Sequence, residues 1–240
     1  MIPEWLSRSQ LLLGDEGLQK LSSAHLLVVG LGGVGAYAAE LAARAGVGEM
    51  TIIDGDNIGI TNINRQLPAT AKTVGDSKAE VMQRRILDIN PNIKLHSQHR
   101  FLEEQEIKDF IKDGGFTFVI DAIDTLAPKT ALIVACVECG IDLISSMGAG
   151  GRLDVSAIKF ADISKTENCS LARMIRKALR EKGIKKGVMT VFSDESIVPN
   201  SVIPTNEKGK RFTVGTISYI PAVFGCYLAS YAIRKISGVC

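Results

Sequence analysis

Apolar positions along this chain fall into two rhythms. The unbroken run 26–29 is too short for a helix and predicts a strand buried on both faces, and the short apolar stretches 50–54, 116–120 and 141–144 predict further strands. Between them, three- and four-residue spacings predict helices. One covers 34–44. A second starts near Asp76–Ser77, shows Val81, Ile86 and Ile89 on one face, and ends before Asn90–Pro91. A surface helix is expected over 103–112 and another helix over 131–139, while the alternation at 93–99 predicts an edgeward strand. Ahead of all this, 11–21 reads as a short helical arm containing Gly14 and Gly17, with Arg8 just before it.

Up to residue 146 the order is therefore β-α-β-α-β-α-β-α-β, an α/β pattern that predicts a doubly wound, mostly parallel, Rossmann-like sheet. A flexible crossing at 147–151 leads into a smaller C-terminal α+β extension. That part should hold a strand (157–161), a basic helix (171–181), a strand (188–192), a turn-rich insertion (199–211) and a final apolar helix (213–233). With 240 residues, no internal repeat and no long linker, one domain is expected over 1–240. Within it, 1–24 forms the arm, 25–146 the core, and 147–240 a part for substrate and dimer contacts.

Charge changes this picture in one place. The chain carries +2 overall, but residues 173–186 hold seven Lys/Arg and one acid, a local +6 that leaves −4 elsewhere. The five cysteines (136, 139, 169, 226, 240) are odd in number and lack framework spacing, and no signal peptide precedes them, so a reducing cytoplasm is expected. Residues 213–233 are uncharged and long enough to span a bilayer, but contain Gly215, Pro221 and Gly225. A core or dimer helix is the preferred reading.

The chemistry begins at Gly30, Gly32, Gly33 and Gly35, a G-x-G-x-x-G turn between a buried strand and a helix. There a phosphate can approach bare backbone at the positive end of a helix. Asp54 follows 19 residues after Gly35, the usual place for a ribose-hydroxyl acceptor. Asp56, the loop Asn62–Gln66, Lys78, Asp121 and Asp124 also fall at carboxyl ends of strands. Two placements fit Lys78. A cation in a helix's first turn opposes the macrodipole, so the amine either faces a phosphate or reaches solvent. Arg65 and Lys78 beside a nucleotide, with Asp124 holding Mg²⁺, suit cleavage of ATP at the α-phosphate better than hydride transfer. For Asp121 and Asp124, helix capping is the alternative.

The series G30-L-G-G-V-G35, D54-x-D56, T61-N-I-N-R-Q66, G75-x-x-K78 and D121-A-I-D124 resembles the nucleotide site of the ubiquitin-activating-enzyme-like (ThiF-like) adenylyltransferases. The resemblance implies an ATP site. Gly30, Gly32, Gly33, Gly35 and Asp54 would hold adenosine, Asn62, Arg65 and Lys78 the phosphates, and Asp124 Mg²⁺. Asp56, Gln66 and Asp121 belong to the same motifs. An N-terminal Arg that reaches the partner's ATP in a homodimer is matched best by Arg8.

Further stretches narrow the match: S7-R-S-Q-L-L-L-G-D-E-G-L18, S146-M-G-A-G-G-R-L-D154, S170-L-A-R-M-I-R176 and G187-V-M-T-V-F-S193. Over nearly the whole chain these resemble the branch of tRNA threonylcarbamoyladenosine dehydratases. That likeness implies ATP-dependent cyclisation of N6-threonylcarbamoyladenosine in tRNA through an acyl-adenylate. Relatives also imply a cysteine desulfurase or sulfur-acceptor partner.

No zinc is expected, because Cys136-x-x-Cys139 is a single pair inside a predicted helix. Cys169, ahead of the basic helix, is the thiol of interest. Arg173, Arg176, Lys177 and Arg180 recur on one helix face, to track tRNA phosphates or simply to meet water. The rival functions are a sulfur-carrier adenylyltransferase, a NAD-dependent dehydrogenase and a binding scaffold without turnover.

Overall fold

In the computed structural model, residues 2–204 and 212–239 are described. The later half of the expected insertion (205–211) and Cys240 lie outside them.

Four apolar runs and the alternating segment become parallel strands: β1 (His25–Val29), β2 (Glu49–Ile53), β3 (Lys94–Gln98), β4 (Phe118–Asp121) and β5 (Asp142–Ser146). Two later strands, β6 (Ile158–Asp162) and β7 (Met189–Ser193), join the same sheet rather than forming one of their own. Its order is β3-β2-β1-β4-β5-β7-β6, with only β6 antiparallel to its neighbour. The alternating polar strand β3 takes an edge, as its sequence predicts. Strand order reverses at β1, which pairs with β2 on one side and β4 on the other. In such sheets the crevice beyond the carboxyl ends at that switch point is the ligand site.

β1 serves two cores. Leu26 and Val28 face one, Leu27 and Val29 the other. The first core is closed by α1 (Ser7–Ser23), α2 (Gly35–Arg44), α3 (Lys78–Ile89) and α7 (Tyr219–Ser237). The second is closed by α4 (Ile107–Asp113), α5 (Leu126–Cys139) and α6 (Ser170–Glu181).

Four boundaries differ from the sequence reading, each for a local reason. The uncharged run 213–233 is not one helix. Phe212–Val214 forms β9, paired with β8 (Val202–Pro204), and α7 starts only at Tyr219. α7 then packs on α2, where a Cβ on Gly225 would stand 2.5 Å from the Val34 carbonyl oxygen. No described helix is long and apolar enough to cross a membrane. α5 begins five residues early because Pro128 falls in its first turn, where an N–H would lack a partner anyway. α4 begins late, since the Glu106 carboxylate caps a turn at the Glu103 N–H (2.8 Å). The buried stripe of α3 is Ala79, Met82 and Ile86, with Val81 and Ile89 only half-buried. In α1, Arg8 lies inside the helix, which breaks at Gly14 (φ 68°).

Candidate nucleotide site

Beyond β1 the chain turns at Gly30 (φ +90°), where a Cβ would stand 2.7 Å from the Ala122 carbonyl oxygen. Gly35 starts α2 so close to this turn that a Cβ would lie 1.8 Å from the Gly30 oxygen. Both positions demand glycine for the protein's own packing. A Cβ on Gly33 would touch Pro221 at 3.0 Å and the Arg65 side chain at 3.5 Å. Gly32 differs. The nearest atom to a Cβ there would be Gln66 Nε2 at 3.7 Å, an ordinary contact. Among the described residues nothing needs Gly32 to be bare, and the free space lies over the N-terminus of α2, where an anion binds favourably.

The end of β2 supplies the next wall. Asp54 is buried, its Oδ2 accepting from the Leu31 N–H (2.6 Å) and Oδ1 from the Asp56 N–H (2.8 Å). Its first task is thus to tie the glycine turn to β2, and lone pairs remain for hydroxyl donors. Burial pushes the Asp54 carboxyl up from its ordinary value, against the pull of the Lys78 ammonium and the two N–H donors.

Ser77 caps α3 by accepting from the Glu80 N–H, which puts Lys78 in the first turn. Of its two expected placements, solvent is ruled out. Lys78 is 5% exposed, and its Nζ donates to Asp56 Oδ2 (2.7 Å) and lies 4.0 Å from Asp54 Oδ1. An ammonium carries three donors, so pairing with Asp56 leaves others for a ligand.

The loop after β2 folds back over the glycine turn. Arg65 Nη1 donates to the Thr61 carbonyl (3.0 Å) and Asn64 Oδ1 (2.8 Å). Burial lowers the Arg65 guanidinium from its ordinary value, with the nearby Asp124 charge opposing the change, so a cation and a carboxylate meet at the crevice. Gln66 Oε1 is buried without a partner among the described residues, an orphan acceptor above Gly32. A nucleotide with exocyclic and ribose donors fits this set. Asn62 stands apart, since its Oδ1 accepts from the Gly59 N–H (3.0 Å) and closes its own turn.

Asp121 does not face the crevice, contrary to the sequence expectation. As the last residue of β4 it points into the second core, fully buried, with Oδ2 2.8 Å from Lys129 Nζ and accepting from Ser145 Oγ (2.6 Å). Oδ1 accepts from the Ile123 N–H (3.0 Å), and Lys129 Nζ donates to the Ile123 carbonyl (3.0 Å). Asp121 therefore fixes the turn that carries Asp124 instead of touching a ligand. Lys129 and Ser145 escape sequence reasoning. The one available signal, for Lys129, is the only lysine in a largely apolar helix.

The basic helix α6 buries Ala172, Ile175 and Leu179 and borders an open groove of about 590 Å³ lined by Arg173, Arg176, Lys177 and Arg180, with Glu181 at its edge. Of these, Arg176 is half-buried and tied down at the groove wall. Its Nη1 donates to the Thr166 carbonyl (2.8 Å) and to the Thr166 hydroxyl. Arg8 is exposed on α1, as are Leu11 and Leu12, at 87% and 81%.

Cys136 is buried in α5, where burial pushes its thiol up, so it acts as a small hydrophobe. Cys169 caps α6, its Sγ accepting from the Ala172 N–H. Among the described residues, His25, Glu49 and His96 approach closely enough to share a metal, at the amino ends of the strands. Lys94 already pairs with Glu49 there (2.9 Å).

The sequence model of the ThiF family matches residues 6–239. The tRNA threonylcarbamoyladenosine dehydratase of Bacillus subtilis is 40% identical over 96% of this chain and 93% of its own length. That of Escherichia coli is 39% identical over 93% and 90%. The crystal structure of the E. coli tRNA N6-threonylcarbamoyladenosine dehydratase in complex with ATP superposes with a TM-score of 0.88 at 36% identity, covering 98% of this chain and 94% of that one. The E. coli sulfur carrier protein ThiS adenylyltransferase matches only 61% of this chain, at 35% identity.

Proposed function

This chain belongs to the ThiF family, and from that premise we propose that it is an ATP-dependent tRNA threonylcarbamoyladenosine dehydratase. The observation that carries the reading is a glycine turn with an unfilled face at Gly32, bordered by two buried or half-buried cations, Lys78 and Arg65. The match to the dehydratases runs the length of the chain, whereas the sulfur-carrier relative stops short of it.

ATP lies over the glycine turn with its phosphates at the N-terminus of α2. A carboxylate oxygen of the threonylcarbamoyl group attacks the α-phosphorus, and pyrophosphate leaves. A nitrogen of the same side chain then attacks the acyl carbon, its proton passes to solvent, and AMP departs with the former carboxylate oxygen. The net change is loss of one water. Because nucleophile and acyl group share one side chain, no thioester cysteine is needed, and ring closure profits from high effective concentration.

Lys78 and Arg65 offset the growing charge on the phosphates. Asp124 is the residue suited to hold Mg²⁺, which when bound neutralises phosphate charge. Arg8, on an arm with exposed leucines, reaches the nucleotide of a second copy in a homodimer. Arg173, Lys177 and Arg180 meet the tRNA backbone, in the cytoplasm.

The test incubates the protein with ATP, Mg²⁺ and tRNA bearing the threonylcarbamoyl group, and reads the modified nucleoside by mass spectrometry. Loss of one water is expected, and its absence rejects the substrate. Lys78→Ala and Asp124→Asn should each lower turnover by about 100-fold or more with circular dichroism unchanged.

A further inference from the structure

Arg152 follows the glycine-rich crossing after β5 and is 3% exposed. One bond holds its guanidinium, from Nη2 to the Asn168 carbonyl (2.6 Å). Its Nε and Nη1 have no partner, and among the described residues no carboxylate pairs with it. The acid of the neighbouring loop, Glu195, is engaged by the N–H groups of Leu153 (3.0 Å) and Asp154 (2.9 Å) instead. A guanidinium does not shed its proton inside a protein, and an uncompensated buried charge is heavily penalised. A second orphan lies close by. Ser201 Oγ is also buried without a partner among the described residues and would stand 3.2 Å from a Cβ on Gly151. Ser201 thus borders Gly151, the residue next to Arg152, where a Cβ would also meet Ile197 at 2.8 Å, and the guanidinium rests on the residue just ahead of the α6 cap.

This cluster shares a wall with the nucleotide crevice. In the first turn of α7, Pro221 abuts Gly33, while the Tyr219 hydroxyl donates to the Leu153 carbonyl (2.9 Å). Asn64, beside Arg65, donates to the Thr216 carbonyl (2.9 Å), and Thr216 Oγ1 borders Gly150. The base of the β8–β9 ribbon roofs the cluster through the Gly151 N–H to the Gly215 carbonyl (2.7 Å).

We propose that Arg152, with Ser201, is the subsite that receives the carboxylate of the acyl substrate and aims it at the α-phosphorus. The inference rests on the dehydratase reading above. A carboxylate supplies the missing acceptors and the missing countercharge together, which a neutral ligand does not. Both donors are buried, so entry of the carboxylate requires the base of the ribbon to part.

Two measurements test this with the full-length protein. The first is binding of the free nucleoside N6-threonylcarbamoyladenosine against its carboxamide analogue, by calorimetry with ATP affinity measured in parallel. The second is KM for modified tRNA. Wild type should prefer the acid, and Arg152→Gln should weaken acid binding by about tenfold or more, to the level of the carboxamide, with ATP affinity unchanged. Arg152→Lys should restore part of the loss, and Ser201→Ala should raise KM by itself. If Arg152→Gln fails to fold, the Lys and Ser201 variants carry the same readouts. A wild type that dehydrates tRNA while these variants keep its KM and its acid preference overturns the subsite alone. A wild type that removes no water overturns the dehydratase reading, and the subsite falls with it.

Discussion

A glycine that nothing in the protein crowds is bare for the sake of something outside it, and Gly30 and Gly32 separate the two cases within three residues. Gly30→Ala puts a Cβ against backbone at a left-handed φ and should cost about 1–3 kcal/mol in urea denaturation. Gly32→Ala should leave that midpoint alone and weaken ATP binding about tenfold by calorimetry, the equivalent of overpacking a filled site by ~1–3 kcal/mol. At this scale, spacing made most of the site legible. Asp54, Lys78 and the Arg65 loop each follow a strand or open a helix at a recognisable interval. Asp121 was not legible in the same way. Its place near a strand end was plain, but which face it took depended on strand alternation, since Val119 and Asp121 share the face opposite Phe118 and Ile120. Arg152 gave no sign at all, because an unpaired buried cation becomes visible only when its surroundings are known.

Elements were easier to read than their ends. Every strand and helix of the core appears in the predicted order, since burial on two faces and the three- to four-residue rhythm leave few other choices. The run 213–233 misled because absence of charge fixes neither helicity nor burial, and its first residues are exposed. It took the β8–β9 pairing to divide it. Contacts between elements were also hidden. Glu40 of α2 accepts from Arg44 of its own helix (2.9 Å) and from Arg85 of α3. Burial by itself would raise the Glu40 carboxyl, but the two guanidinium bonds outweigh it and hold the group below its ordinary 4.5. A depressed folded value means stabilisation that is complete above the unfolded pKa and lost as pH falls through the folded one. Glu40→Gln should therefore cost about 1 kcal/mol at pH 7, a figure held down by the partly exposed arginines. The gap to wild type should narrow as pH drops below 4.5 in matched urea titrations.

For the whole molecule, the division of charge sets how a large anionic substrate is met. The +6 segment is concentrated on and just after α6, and four of its cations border one groove. Arg173→Ala, Lys177→Ala and Arg180→Ala should each lower the slope of log affinity for tRNA against log salt by about one, measured by filter binding. Arg176→Ala should leave that slope nearly unchanged, because its guanidinium is engaged by Thr166. The sequence showed four cations on one face. Only the turn before α6 revealed that one of them, Arg176, is tied to Thr166 at the groove wall.

The central place of β1 carries a consequence for how the molecule is made. His25 accepts from Thr117 across a separation of 92 residues, and β4 must dock before the glycine turn gains its second side. A nascent chain leaving the ribosome thus has β1, β2 and their helix long before it has a crevice. ATP has nothing to grip until the stretch through Asp124 has emerged and found its register. Nucleotide then acts as a lock on the finished fold, slowing its opening without hastening its assembly.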